Sequence, residues 1–325
     1  MTRSLWIFSF FLAGLSTSFG WSDEGHNAIW EVAQHHLTPK AKARVDQILA
    51  GSQLEYTATW LDRARDAAKS PPTGPFATDP ETVAFNSTFQ DNAQWHYVDL
   101  PAGAHSYAES TGFAGRSDVV HHINQAIAVL EGSDHAMTPS IALRDLIHLV
   151  GDIHQPLHCV AGFFNTHDPE HPVLVEGMAA ARFKPFGDRG GNLLFYGVNP
   201  FDQLHAFFDS HLVADLVPGG TSHQELASAI EALLATEKAN TAGDYHTWAE
   251  KWADESLQLA NDAYGQLTFG HVTWKTDANG RQTIKSIAIT FPTDFEKRET
   301  AVVSHRLARA AARLSDLLNR ILDPQ

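Results

Sequence analysis

Residues 148–158 read HLVGDIHQPLH. His148 and Asp152 are four residues apart, a spacing that places both side chains on one face of a helix, one turn apart. An imidazole and a carboxylate placed in this way can hold one zinc ion between them. Pro156 predicts that the helix ends near Gln155, so His158 follows on a turning backbone and can point to a second ion. The segment therefore predicts a hinge between metal ions.

A second histidine and aspartate with the same spacing occur at His205 and Asp209, in the stretch FDQLHAFFD, residues 201–209. One such pair is weak evidence for a metal, because helices often carry such pairs on their surface. Two pairs in apolar company are harder to dismiss, since buried ionisable groups need partners. The two pairs together favour a buried metal site.

The first twenty residues read as an export signal rather than as part of the fold. Arg3 supplies a positive start, residues 5–15 form an apolar run, and Ser18 and Gly20 are small residues at the −3 and −1 positions. This pattern predicts cleavage after Gly20 and a secreted or periplasmic protein. A membrane anchor is the alternative, but the apolar run is too short to span a bilayer.

The composition is that of an acidic globular protein. The chain has 325 residues, of which 43% are hydrophobic, and a formal net charge of −15. A protein with such a charge is a poor general binder of nucleic acid, so bound cations must supply local positive charge if the protein acts on phosphates. Nineteen histidines fit a metal-rich interior.

The single cysteine, Cys159, excludes an intramolecular disulfide. An exported chain without disulfides needs another source of stability for its folded state, and bound metal can provide it. Cys159 follows His158 directly, so it is either a metal ligand or a buried free thiol. We favour the buried thiol.

Caps, prolines and apolar spacing predict one all-α domain over residues 21–325. Thr38-Pro39 and Thr138-Pro139 each combine an N-cap with a proline at the first helical position, and Asn279-Gly280 between two apolar runs predicts a small β-hairpin. Residues 70–94 read as a long loop, 95–100 as extended or a short strand, and 160–195 as irregular. The predicted helices span about 22–36, 38–51, 54–69, 117–131, 138–155, 201–213, 222–237, 244–266 and 296–322.

Three further motifs lie upstream: WSDEGH at 21–26, WLDRAR at 60–65 and WHYVD at 95–99. With them, the sequence resembles the zinc-dependent single-strand-specific nucleases of fungi, plants and bacteria, a family related to bacterial zinc phospholipase C. The resemblance covers most of residues 21–265. It implies a single multi-helix domain of the phospholipase C/nuclease type, with three zinc ions in one cleft.

The resemblance also implies a set of metal ligands. Asp152 would bridge the first and third zinc ions, and the mature amino terminus at Trp21, created by cleavage after Gly20, would itself be a ligand. The first zinc would be held by Asp62, His96, His148 and Asp152, the second by His158, His205 and Asp209, and the third by Trp21, His26 and Asp152.

By the same resemblance, Asp62 and Arg65 would be catalytic, Asp62 by orienting the nucleophile and Arg65 by binding phosphate oxygens. Tyr97 would stack on a base, Asp99 would accept hydrogen bonds from a base edge, and Asn192 would orient a ligand or a phosphate. His154 has no ligand role in the family and is interpreted as structural.

Two features depart from the family. Residues 160–187 look longer than the corresponding loop, which lies close to the active site, and the disulfides of the eukaryotic members are impossible here. Substrate access is therefore left open.

The sequence thus predicts a monomeric zinc-dependent endonuclease. It would act on single-stranded DNA and RNA, release 5′-phosphorylated products and act on 3′-nucleotides. Two alternatives remain at this point: a zinc phospholipase C, which needs no stacking residue at Tyr97, and a non-catalytic periplasmic zinc-binding protein, which needs no Arg65.

Overall fold

The computed structural model describes residues 21–53, 56–69, 72, 74–217, 222–237, 241–277 and 279–324. The signal predicted for residues 1–20 lies outside them. The described part is mainly helical, as predicted. Its helices are α1 (Asp23–His35), α2 (Pro39–Ile48), α3 (Trp60–Ala67), α4 (Pro80–Thr88), α5 (Val119–Leu130), α6 (Pro139–Asp152), α7 (Leu204–Ala206), α8 (Leu212–Ala214), α9 (His223–Leu234), α10 (Trp248–Tyr264) and α11 (Phe295–Leu322).

Three helices begin with the same local device. In α2, α4 and α6, the residue before a first-turn proline accepts a hydrogen bond from the backbone N–H three positions later: Thr38, Asp79 and Thr138. The side-chain oxygen satisfies one of the free donors of the first turn, and proline supplies none there. Local chemistry therefore fixes the start of α6, the helix that carries His148 and Asp152.

Helix α6 runs through the middle of the core. Every residue from Ile141 to Asp152 is buried, and α6 packs against α1, α2, α3, α5 and α11. Helix α11, 28 residues long, covers the same core from another side. A helix buried on all sides is held in one position, so its carboxyl end is a rigid platform for the polar residues there.

Two small sheets complete the fold. Strands β1 (Phe164–Asn165) and β2 (Val173–Leu174) pair antiparallel. Strands β4 (Thr268–Thr276) and β5 (Gln282–Thr290) form the predicted hairpin, and β3 (Leu194–Phe195) adds to β5 in parallel. The hairpin also contacts the 160–187 segment, because the N–H of Val272 donates to the carbonyl oxygen of Pro169 at 2.8 Å.

The structure corrects several predicted boundaries. Residues 70–94 are not a plain loop, since α4 lies within them. Residues 95–100 form no strand, and α6 ends at Asp152, three residues before the predicted end. Helix α5 is capped by Asp118 and begins at Val119, two residues after the predicted start at 117. Among the described residues, no helix combines the length and the apolar character needed to cross a membrane.

Candidate metal centre

Four of the predicted ligands meet at the carboxyl end of α6. His148 Nε2 lies 3.1 Å from Asp152 Oδ2, and His96 Nδ1 lies 2.9 Å from the same oxygen. Asp62 Oδ1 is 3.7 Å from both His96 Nδ1 and His148 Nε2. The ligand set expected for the first zinc is therefore brought together from α3, α6 and the segment before α5.

The amino-terminal residues approach Asp152 from its other side. His26 Nε2 lies 3.4 Å from Asp152 Oδ1, and the His26 ring stacks on His148 at a centroid distance of 3.9 Å. Trp21 is fully buried, and its indole N–H donates to the carbonyl oxygen of Gly151 at 2.9 Å. Residues 21 and 26, predicted for the third zinc, thus both contact the end of α6.

A second group lies beside the first. One ligand atom each of His158, His205 and Asp209 falls within 4.8 Å of the other two, and the two imidazole rings stack at 5.1 Å between centroids. Asp209 belongs to a π-helical turn, Phe207–His211, between α7 and α8. This is the set expected for the second zinc.

Backbone carbonyl groups orient three of these imidazoles. The Nδ1–H of His148 donates to Ala58 O at 2.7 Å, that of His158 to His96 O at 2.7 Å, and that of His205 to Gly190 O at 2.6 Å. A neutral imidazole that donates from Nδ1 keeps its lone pair on Nε2. Such carbonyl contacts fix both ring orientation and tautomer in metal-binding histidines.

Several buried donor atoms in the centre fit a metal ion. Nε2 of His26, Nε2 of His158 and Oδ1 of Asp152 are buried and make no hydrogen bond within the described part of the chain. A buried polar atom left without a partner is costly. Imidazole nitrogens and carboxylate oxygens are ligands that zinc takes, so the residues present fit that ion.

Burial and opposite charges set the protonation states. Burial lowers the pKa of His96 to about 4 and that of His205 to about 3, which leaves both rings neutral at pH 7. Burial also opposes the charge on Asp152 and Asp62, but His148 and His158 beside Asp152, and Arg65 beside Asp62, outweigh it and lower both carboxyl pKa values. Burial lowers the pKa of His148 as well, but Asp152 and Asp62 outweigh this effect and raise that pKa to about 9. Metal binds neutral imidazoles and ionised carboxylates, so a metal ion has to displace a proton from His148.

The metal centre opens into a cavity of about 540 Å³. Tyr97, Asp99 and Asn192, the predicted substrate-binding residues, line it together with Arg65. Tyr97 is 37% exposed, whereas Arg65 is 8% exposed and its Nη1 lies 2.7 Å from Asp62 Oδ1. Burial raises the pKa of Asp99 to about 6, so this carboxylate is ionised at pH 7.

Comparison with known proteins shows the family of the chain. The S1/P1 Nuclease family model matches residues 21–323. The chain belongs to the S1/P1 nuclease family. It is 24% identical to Endonuclease 2 of Arabidopsis thaliana over 93% of this chain and 90% of that protein. It is 24% identical to Nuclease P1 of Penicillium citrinum (80% and 79%) and 25% to Nuclease S1 of Aspergillus oryzae (86% and 81%).

Family membership identifies the chain as a nuclease, a hydrolase of phosphodiester bonds. Nucleases of this family depend on metal, and three buried groups can hold it: His26 with Asp62 and His148, His96 with His148 and Asp152, and His158 with His205 and Asp209. Membership in this family favours a nuclease over a phospholipase C and over a non-catalytic zinc-binding protein, the two alternatives that the sequence left open.

Two residues near the ligands of this nuclease agree with their structural interpretation. His154 donates from Nδ1 to Val150 O at 2.7 Å, and its Nε2 lies 3.0 Å from Nη1 of Arg313, so both ring nitrogens are engaged away from the metal groups. Cys159 is buried, with Sγ 3.7 Å from Ile153 O, and burial raises the pKa of its thiol to about 12.

Sequence reasoning missed two supporting side chains of the nuclease. Gln155 Nε2 donates to Asp209 Oδ1 at 2.7 Å, so it orients a predicted ligand. Asp188 accepts hydrogen bonds from the N–H groups of Gly162 and Gly191 and from the Tyr264 hydroxyl. It thereby shapes the loop whose Gly190 carbonyl orients His205.

A local signal for that loop was present in the sequence DRGGN, residues 188–192. Arg189, Gly190 and Gly191 all have positive φ, of 60°, 61° and 82°. A Cβ on Gly190 would lie 2.5 Å from Leu157 O, so only glycine fits this turn beside His158 and His205. Asn192 is held in the same loop, its Nδ2 donating to Arg189 O at 2.8 Å.

Proposed function

We propose that this chain is a zinc-dependent endonuclease acting on single-stranded DNA and RNA, with 5′-phosphorylated products and an additional 3′-nucleotidase activity. Asp62, His96, His148 and Asp152 would hold one zinc, His158, His205 and Asp209 a second, and Trp21, His26 and Asp152 a third. The observation that carries the proposal is the position of Asp152. Its Oδ2 faces His96 and His148 and its Oδ1 faces His26, and His96 lines the same cavity as Tyr97.

When bound, the zinc ions supply Lewis acidity toward phosphate oxygens and lower the pKa of water toward neutrality. Arg65 binds a phosphate oxygen and neutralises charge that develops on the phosphoryl group. Asp62, 2.7 Å from the Arg65 guanidinium, aims that side chain and orients the attacking nucleophile. Both groups therefore act on the same phosphate.

The preference for single strands follows from the depth at which the metal ligands lie below the protein surface. The ligand side chains are buried, so the scissile phosphate has to enter the cavity, whose volume of about 540 Å³ excludes a double helix. Tyr97 offers its ring to an unpaired base, and stacking is tolerant of sequence because every base has a π-face. Asp99, ionised at neutral pH, accepts hydrogen bonds from the amino group of a base.

The protein would be exported and monomeric, with cleavage after Gly20 exposing the amino group of Trp21. The buried position of Trp21 against Gly151 supports this start, because it brings residue 21 to the end of α6.

The test measures acid-soluble nucleotides released from single-stranded DNA by the mature protein and by its Asp152→Ala variant. Asp46→Ala, the same change at an exposed aspartate outside the candidate metal groups, is the control. We expect activity in the wild type and the control and a loss of about 10³-fold or more in Asp152→Ala. Intact DNA with rapid cleavage of phosphatidylcholine would contradict the proposal.

A further inference from the structure

A second cavity, of about 420 Å³, adjoins the active-site cavity. Its walls come from the 160–187 segment, through Phe163, Lys184 and Pro185, and from the β4–β5 hairpin. Asp99, Arg189 and Leu193 line both cavities. A chain that leaves the active-site cavity past Arg189 therefore enters the second one.

The charge around this second cavity differs from that of the whole chain. The chain carries a formal charge of −15, yet three cations and two carboxylates line the cavity: Lys184, Arg189, Lys275, Asp99 and Asp277. The Asp277 carboxylate is engaged by its own turn, since Oδ1 accepts from the N–H groups of Asn279 and Arg281 at 2.8 and 2.9 Å. The cations thus outweigh the carboxylates that remain.

Two of these cations are available to a ligand. Lys184 is occupied, because its ammonium donates to Gly112 O and lies 4.3 Å from the centroid of the Phe113 ring. Arg189 and Lys275 are exposed, and neither forms an ion pair within 4.0 Å in the part of the chain that the structure describes. Burial raises the pKa of Asp99, and Arg189 is close enough to that carboxyl group to offset part of the rise. In so acidic a chain, two cations that form no direct ion pair beside one cavity indicate an anionic ligand.

The backbone fixes the positions of the Cα atoms of Arg189 and Lys275. Arg189 has φ 60° and lies between Asp188, which is tied to Gly162, Gly191 and Tyr264, and Gly190, whose carbonyl orients His205. Lys275 is paired with Thr283 within the β4–β5 ladder. Arg189 is thus the neighbour of Gly190, whose carbonyl group orients the predicted zinc ligand His205. Lys275 lies on β4, in the wall of the second cavity that the hairpin forms.

We propose that this second cavity is a subsite for the sugar–phosphate backbone of a single-stranded polynucleotide, with Arg189 and Lys275 each binding a phosphate beyond the scissile one. The inference rests on the proposed function and adds to it a substrate class: strands of several nucleotides rather than the shortest ones. Phosphate contacts carry no sequence information, so the subsite would position any strand.

The test compares a single-stranded 20-mer with a dinucleotide that contains one phosphodiester bond. The variant is Arg189→Ala combined with Lys275→Ala. The control combines Arg182→Ala with Lys285→Ala. It removes the same charge from exposed positions of the adjoining 160–187 segment and of the same hairpin, and neither position lines the cavity.

We expect the preference for the 20-mer over the dinucleotide, as the ratio of kcat/KM values, to fall about tenfold in the variant and to stay unchanged in the control. The slope of log KM against log salt for the 20-mer should become shallower by about 1.4, or about 0.7 for each lost phosphate contact. Arg189→Lys with Lys275→Arg, which keep both charges, should restore the preference.

A second arm identifies the ligand as phosphate. In substrates with one scissile bond, neutral methylphosphonate linkages replace one flanking phosphate at a time. One replacement should lower kcat/KM in the wild type and have little further effect in the Arg189 and Lys275 double variant.

An equal loss of activity on both substrates, or additive effects of variant and neutral linkage at every position, would overturn the subsite. A wild-type protein that cleaves neither substrate would refute the proposed function itself.

Discussion

Gly151 faces the imidazole of His26 so closely that a side chain has no room between them. A Cβ built on Gly151 would lie 2.8 Å from Nδ1 and 2.9 Å from Cε1 of His26. Gly151 lies within α6 next to Asp152, where glycine costs helix stability relative to alanine. Gly151 therefore leaves room for His26 to approach Asp152, and it does not stabilise the helix.

Gly151→Ala is accordingly expected to remove the third metal and not the second. The added methyl group pushes His26 away from Asp152, whereas His158, His205 and Asp209 lie on other segments. Zinc analysis should give one ion fewer per chain than in the wild type. Gly115→Ala, at a glycine with open space around its Cβ position, is the control and should keep the full count. An unchanged count in Gly151→Ala would remove His26 from the ligand set.

Acid should release the metal. His96 and His205 have pKa values lowered by burial to about 4 and about 3, below the ordinary value of 6.5. The folded state therefore binds fewer protons at these rings than the unfolded state, and both metal affinity and stability fall as pH drops from about 6.5 through these values. A chelator dye that reports free zinc should show full retention at pH 7 and release by pH 3. Retention of all the metal at pH 3 would contradict histidine ligation.

Asp145 should be a source of instability at neutral and higher pH. It is buried in α6, and neither carboxylate oxygen makes a hydrogen bond within the described residues. Burial raises its pKa to about 8, and the nearby Arg144 and His148 offset only part of this effect. Because the folded pKa exceeds the ordinary 3.8, the folded state holds a proton that the unfolded state has lost, and stability falls as pH rises from about 4 through 8.

Asp145→Leu, which removes the charge at similar volume, should therefore raise the free energy of unfolding by about 1–3 kcal/mol at pH 8 and by less at pH 5. Denaturant titrations at the two pH values measure it. Asp46→Leu, at an exposed aspartate of α2, should give no such pH-dependent gain. A loss of stability at pH 8 in Asp145→Leu would show that the carboxylate has a favourable role.

The sequence predicted the long helices and the hairpin because their signals are local. Thr138-Pro139 marks the start of α6, and Asn279-Gly280 marks the turn between β4 and β5. Helix α4 carries the same signal at Asp79-Pro80, but Val83 is exposed and the apolar residues form no stripe, so it was missed. The parallel pairing of β3 with β5 joins residues far apart in the chain, and no local pattern encodes it.

The candidate site also has some features that local sequence encodes and others that depend on tertiary packing. The spacing of His148 with Asp152, and of His205 with Asp209, follows from helix geometry and was visible in the sequence. The proximity of His26 and His96 to Asp152 depends on tertiary packing, and the sequence implied it only through resemblance to a family. The carbonyl groups of Ala58, His96 and Gly190 that orient the imidazoles are backbone atoms and leave no mark in the sequence.

The proposed function depends on a three-zinc centre that includes the amino terminus of Trp21. Native mass spectrometry of the zinc-loaded chain beginning at Trp21 tests it most directly, beside the same chain with one extra residue before Trp21. An added residue turns the free amino group into an amide, which is a poor metal ligand. We expect three zinc ions in the first protein and two in the second. Two or fewer in the first, or equal counts in both, would contradict it.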